Sequence, residues 1–218
     1  MSEPPLPPRE PDVPDELEAL EPDADTLRGA RIEAAAVKGA ALAEVRALDL
    51  RLTESRLVRC DLAGAALAGA SLRDVVVEEG SWAGVRAQEL SLRRVELRGV
   101  RLTGADLGGA TLEDVSFLDC RLDLASLRFA RFERVVFRGC RLEEADLAGA
   151  RLSSVLLEGC SLAQADVNGS TLGRTELRGC DLAGLRGAES LRGARLPWPD
   201  VVAAAAVLAA AAGVEIVD

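Results

Sequence analysis

The sequence predicts an all-β architecture: a four-sided parallel β-solenoid closed by a C-terminal capping α-helix. From Leu27 to Leu182 every fifth residue is an apolar anchor, and 30 of these 32 positions are Leu, Ile, Val, Phe or Trp, with Ala47 and Ala87 the exceptions. Two residues before each anchor runs a second column, mostly Ala, Cys, Val, Ser or Thr. A period of five fits neither a helix nor a strand. It fits a chain that turns a corner every five residues. Chemistry also repeats at twenty, as in Val75, Val95, Val115, Val135 and Val155, so four corners make one coil. Residues twenty apart are then stacked neighbours, spaced by roughly 4.8 Å as in any sheet.

The corners carry their own signal. Fourteen of the twenty glycines lie two residues after an anchor, as at Gly29, Gly64, Gly99, Gly139 and Gly179. That is the third position of a type II turn, where φ is positive. After Ile32, Leu52, Leu72, Leu92, Leu112, Phe132, Leu152 and Leu172 that position is never Gly, which predicts a different turn on this side. Inside, volumes compensate: Ala47 is followed by Leu50, Ala87 by Leu90, and Trp82 is preceded by Gly80. A dry, narrow interior demands such exchanges.

The ends differ from the rod. Residues 1–26 hold seven of the nine prolines and nine acids against Arg9 alone, a charge of −8, while the remaining 192 residues are at −2. This composition predicts a disordered tail over 1–24, with a short helix around Asp15–Leu20 the one exception considered. The solenoid is expected over 25–196. Beyond Leu182 the frame slips, and 197–218 is expected to form a capping and dimerisation helix, Val201–Ala212, with Asp200 as N-cap and Gly213 as C′ residue. Uncharged on every side, that helix must be buried. The solenoid end covers only one side, so pairing of like ends through Val201, Val202, Val207 and Leu208 is expected.

Composition excludes several classes. There is no His and one Lys, so no nucleophile–base pair can be assembled, and a non-enzymatic chain is expected. A net charge of −10 argues against direct nucleic-acid binding. The opening residues lack the pattern of a signal peptide, no apolar run is long enough to span a membrane, and five Cys fit free thiols in the cytoplasm. All five lie in one column: Cys60, Cys120, Cys140, Cys160 and Cys180. Thiols on one wall offer no tetrahedral geometry, so inner packing is favoured over a metal ladder, and no metal or cofactor is expected.

The pattern Ala-Asp-Leu-Ala-Gly at Ala145–Gly149, repeated in frame, resembles the pentapeptide-repeat family. That resemblance implies a right-handed quadrilateral β-helix. The Leu191–Leu196 ending and Ala-rich helix are similar to members that bind DNA gyrase. Such members are dimeric acidic rods that imitate B-form DNA and protect type II topoisomerases from poisons. The body here, at −2, departs from that strongly acidic character. Two surfaces are candidates. Asp106, Asp123, Glu143, Glu144, Asp146, Asp166 and Asp181 lie toward one side, interrupted by Arg101, Arg121 and Arg141; they either mimic phosphates or simply solubilise the rod. Leu118, Val136 and Leu156 point outward in successive coils, with Leu124 and Phe129 at nearby corners; they either dock a partner or are covered by the tail or by a second copy. The two readings are therefore a topoisomerase-binding DNA mimic and a general protein-interaction scaffold.

Overall fold

The computed structural model describes residues 3–23 and 27–215. The rod is a parallel β-solenoid in which each coil pairs with the next twenty residues on. After short strands β1 (Glu18–Ala19), β2 (Arg31–Glu33) and β3 (Ala35–Lys38), six eight-residue strands stack: β4 (Arg51–Val58), β5 (Ser71–Glu78), β6 (Ser91–Arg98), β7 (Thr111–Leu118), β8 (Arg131–Arg138) and β9 (Arg151–Glu158). Two short strands, β10 (Thr171–Gly173) and β11 (Glu176–Arg178), both pair with β9. The remaining two faces are held by single bridges such as Arg101↔Arg121 and Asp106↔Ser126. The anchor and small-residue columns form one continuous core that includes Leu107, Leu127, Leu147, Cys140 and Val135. Phe117 and Phe137 stack across one coil step with centroids 4.7 Å apart. Ala47, Leu50, Ala87 and Leu90 are all buried, as the volume exchange requires.

The glycine-free side does turn differently, as expected, but not in the sign of φ. Two corners per coil close with a backbone bond of the i→i+3 kind, as from Ala65 N to Leu62 O (3.0 Å) and from Ala70 N to Leu67 O (3.0 Å). On the glycine-free side the strand instead runs through the corner, and the pairing skips one residue: Thr53 pairs Arg73 and Ser55 pairs Val75. That skipped residue nevertheless keeps positive φ: Glu54 (49°), Asp74 (54°), Arg94 (50°), Asp114 (57°) and Arg134 (54°). Positive φ is therefore a property of every kind of corner, whether or not glycine is present. Its source is the neighbouring coil. The left-handed residue donates its N–H to the next coil's carbonyl, as Leu124 N does to Glu143 O (2.9 Å) and Gly104 N to Asp123 O (2.9 Å). The ladder outweighs a local strain of about 1–2 kcal/mol at each non-glycine corner.

The twenty-residue register holds to Arg186, which faces Asp166; beyond Gly187, at φ 75°, it shortens to nineteen, with Glu176 facing Arg195. The single predicted helix is two: α1 (Trp198–Ala203) and α2 (Ala205–Ala211), joined at Ala204. Pro197, not Asp200, is the N-cap. The Asp200 carboxylate instead accepts the Gly179 N–H (2.7 Å) and pins the cap to the last coil. Gly213 does end the helix: Gly213 N bonds Ala210 O and Val214 N bonds Ala209 O, a Schellman arrangement. Ala204 is buried, and Val207, Leu208 and Ala211 pack on the core. At the other end, β1 covers β3, with Glu18 N on Ala34 O and Leu20 N on Ala36 O. The segment around Asp15–Leu20 is thus extended rather than helical. Among the described residues no helix is long and apolar enough to cross a membrane.

Two substitutions test the inward columns. Leu147, only 3% exposed, is expected to tolerate no charge, and Leu147→Lys should cost several kcal/mol and abolish a cooperative melt. A Cβ on Gly80 would meet the Cys60 carbonyl oxygen at 2.3 Å, whereas one on Gly84 meets nothing within 4 Å. Gly80→Ala should therefore lower the melting temperature far more than Gly84→Ala, whose left-handed φ costs about 1 kcal/mol. Equal melting temperatures would contradict the close stacking of these coils.

Candidate functional site

The corner at Asp74, Arg94, Asp114 and Arg134 gathers the most buried charge in the rod. Stacking at twenty places acid and base alternately. Arg94 Nε and Nη2 each donate to the Asp74 carboxylate at 2.5 Å, and Arg134 binds Asp114 in the same two-pronged way at 2.7 and 3.1 Å. Asp74 is 3% exposed and Asp114 only 1%. What covers them is the N-terminal segment. Arg9 N donates to Asp114 Oδ1 (3.1 Å) and Asp12 N to Asp74 Oδ1 (3.1 Å), while Glu3 pairs with Arg174. Residues 3–23, expected to lack structure, thus lie extended along the rod; the expected boundary at 24/25 falls outside the described residues.

Burial pushes both carboxyls up, but the guanidinium hydrogen bonds and the tail N–H groups outweigh it, leaving Asp74 and Asp114 below the ordinary Asp value.

The apolar candidates divide. Leu118, Val136 and Leu156 come together under the tail, lining one groove with Pro5, Pro8 and Pro11. Val136 is buried and the other two half-buried. This is the tail-covered alternative. Leu124 (59%) and Phe129 (63%) stand apart at solvent-facing corners, Phe129 beneath the Arg128 guanidinium at 5.3 Å.

The acidic candidates are laced with arginine. Arg141 bridges Asp123 (3.5 Å) and Glu143 (2.8 Å), Arg128 pairs with Asp146 (2.8 Å) and Arg186 with Asp166 (3.5 Å). Asp106 accepts from the Gln88 amide, and Glu144 sits exposed at a left-handed corner. Asp106, Asp146, Asp166 and Asp181 also accept the backbone N–H two residues on, at 2.9–3.1 Å. These Asp side chains brace turns, a structural task that any motif Asp performs.

In the thiol column each Sγ donates to a carbonyl one coil back, as Cys140 does to Phe117 O (3.4 Å). The adjoining Cys120 thiol, with burial, pushes Cys140 up to about 12, and Cys140 pushes Cys160 up to about 11. These stay protonated thiols at neutral pH. Of the expected pairing residues, Val207 and Leu208 pack inward and Val201 is half-buried; Val202 (58%) is exposed, as is Trp198 (75%), four residues before it on the same helix. Taking Asp200 as the N-cap leaves Trp198 outside the helix the sequence predicts.

A four-cornered coil with an apolar anchor every fifth residue defines a class, the pentapeptide-repeat solenoid. The family description "Pentapeptide repeat region" matches residues 110–186 and "Pentapeptide repeats (8 copies)" matches residues 83–119; residues 83–186 are thus a stretch of pentapeptide repeats. No curated protein matches the sequence. Among solved structures it is similar to HetL, a pentapeptide repeat protein involved in heterocyst differentiation regulation from Nostoc sp. strain PCC 7120, with 24% identity, 79% of this chain and 89% of that one covered, and a TM-score of 0.41. It is also similar to full-length QnrB1, a plasmid-mediated fluoroquinolone resistance protein, with 17% identity, coverage of 88% and 94%, and a TM-score of 0.40. A pentapeptide repeat protein from the Arabidopsis thaliana thylakoid lumen matches at 20% identity, coverage of 59% and 72%, and a TM-score of 0.27.

The lowered carboxyls set a pH test. A carboxyl that titrates lower when folded contributes stability above the unfolded Asp value of about 3.9 and loses it as the pH falls through the folded value. Melting temperature measured from pH 6 to 2 should fall more steeply for the native chain than for an Asp74→Asn/Asp114→Asn double variant. Parallel curves would mean that the two carboxyls are not held by Arg94 and Arg134.

Proposed function

We propose that this rod is a non-enzymatic protein-interaction scaffold. The observation that carries this reading is the pairing of the acidic side. Arg141, Arg128 and Arg186 each neutralise acids that a DNA mimic would leave bare. Alternating signs cancel beyond a Debye length of about 8 Å at physiological salt, so the side projects little of the continuous negative field of a duplex.

A narrower reading, a dimer that binds DNA gyrase or another type II topoisomerase as a DNA mimic, draws support from the family resemblance and from the apolar C-terminal cap. Trp198 and Val202 expose a contiguous apolar face on α1, and a two-fold pairing of like ends is the simplest closed way to cover it. Light scattering is expected to report twice the 22.9 kDa chain mass for the native protein and the single mass for Val202→Glu. A native mass of 22.9 kDa at micromolar concentration would remove the dimer. A gyrase supercoiling assay with and without a fluoroquinolone separates the two functions. The scaffold reading expects no protection by added protein; protection near equimolar protein would establish the topoisomerase reading instead.

A further inference from the structure

The N-terminal segment meets the rod in a repeating pattern. Pro5, Pro8 and Pro11 are half-buried, while Pro4, Leu6, Pro7, Arg9, Glu10 and Asp12 are exposed. Over residues 5–12 every third residue is half-buried, which is the period of a polyproline II helix; Val13, the next half-buried residue, ends that period. The two donors, Arg9 N and Asp12 N, each follow a groove-facing proline and are likewise three apart. Three residues of polyproline II rise about 9.3 Å. Asp114 and Asp74, their acceptors, are two coils apart, about 9.6 Å. One turn of the ligand thus spans two coils of the rod.

We infer that this corner is a groove for extended, proline-containing segments of a partner protein, which residues 5–12 occupy in cis. Three features make it a reader of pattern rather than of this one sequence. The tail contributes proline rings and backbone N–H groups, and no side chain among its residues 3–12 is buried. Leu118, Val136 and Leu156, bordered by Glu96, Ser116 and Arg138, offer ring-sized apolar contact. Asp74 and Asp114 keep Arg94 and Arg134 as partners when the tail leaves, so release orphans no buried charge. The required ligand is Pro-donor-x-Pro-donor, an acceptor-rich groove excluding proline at the donor positions. A covalently joined segment holds the groove at high effective concentration, so a partner must outcompete it or bind once it is displaced. This gives the scaffold reading a ligand class and rests on it.

The test removes the two donors and nothing else. In the full chain, Arg9→Pro/Asp12→Pro keeps the polyproline conformation but deletes both N–H groups. A fluorescein-labelled peptide of residues 3–16 is titrated by anisotropy against the native chain, this variant, and Arg9→Ala/Asp12→Ala, which keeps both donors. The peptide should bind the proline variant at least tenfold more tightly than the other two. The same peptide with proline at the positions of Arg9 and Asp12 should bind that variant at least tenfold more weakly. If neither peptide binds, or both bind the proline variant equally, the groove does not read this pattern and the proposal falls. The scaffold reading, tested by the gyrase assay, would be untouched by that result.

Discussion

Everything in this molecule depends on one constraint: backbone hydrogen bonds stack each coil on the next at twenty-residue register. Stacking multiplies whatever a single coil contains. A Leu anchor becomes a column of Leu, a Cys a column of thiols, and a charged corner a ladder of charges. The same bonds fix the backbone at the corners, where an N–H held by the next coil's carbonyl keeps Glu44, Leu124 and Phe129 left-handed although none is glycine. Local preference yields because the inter-coil bonds outweigh the local strain of about 1–2 kcal/mol.

This constraint also decides what a reader can find in the sequence. The anchors at Leu107, Leu127 and Leu147 and the small residues between them report burial directly, since each position has the same fate in every interior coil, while Ile32, Leu172 and Cys180 in the end coils are half-buried. Glycine was a poorer guide. It marks many corners, yet Asp74 and Arg134 hold the same conformation, because the force that imposes it comes from twenty residues away. The alternation Asp74, Arg94, Asp114, Arg134 stands in the sequence at that spacing, but the segment that covers it comes from residues 62 and 105 positions away.

The tail was unreadable for a different reason. Its composition, rich in proline and acid, has no means of burying large side chains. It is held without burying any. Two of its contacts are backbone donors reaching carboxylates 62 and 105 residues away, and such pairs leave no trace in hydropathy. Only the three-residue spacing of Pro5, Pro8 and Pro11 carried the signal. The C-terminal cap shows the converse. An all-apolar helix was rightly expected to be buried on one side, but which side could not be read from residues that are nearly all Val and Ala; the Asp200 bond to Gly179 sets that orientation.

A solenoid is therefore a ruler as well as a surface. Its coil spacing of about 4.8 Å is fixed by hydrogen-bond geometry rather than by side chains. Any ligand with its own rigid repeat can register against it. A helix, rising 1.5 Å per residue, gains about 5.4 Å per turn and falls out of step by roughly 0.6 Å at each coil. A polyproline II segment loses only about 0.3 Å per two coils. It can follow several coils before the mismatch matters, and it needs no edge strand to dock on, only a corner with acceptors. On this rod the segment follows the corner from Asp114 to Asp74 and then leaves the proline pattern to become β1 at Glu18–Ala19, pairing with the first coil as a strand. The same short stretch thus uses two repeats in succession, the polyproline one to measure the corner and the strand one to close the open end of the sheet.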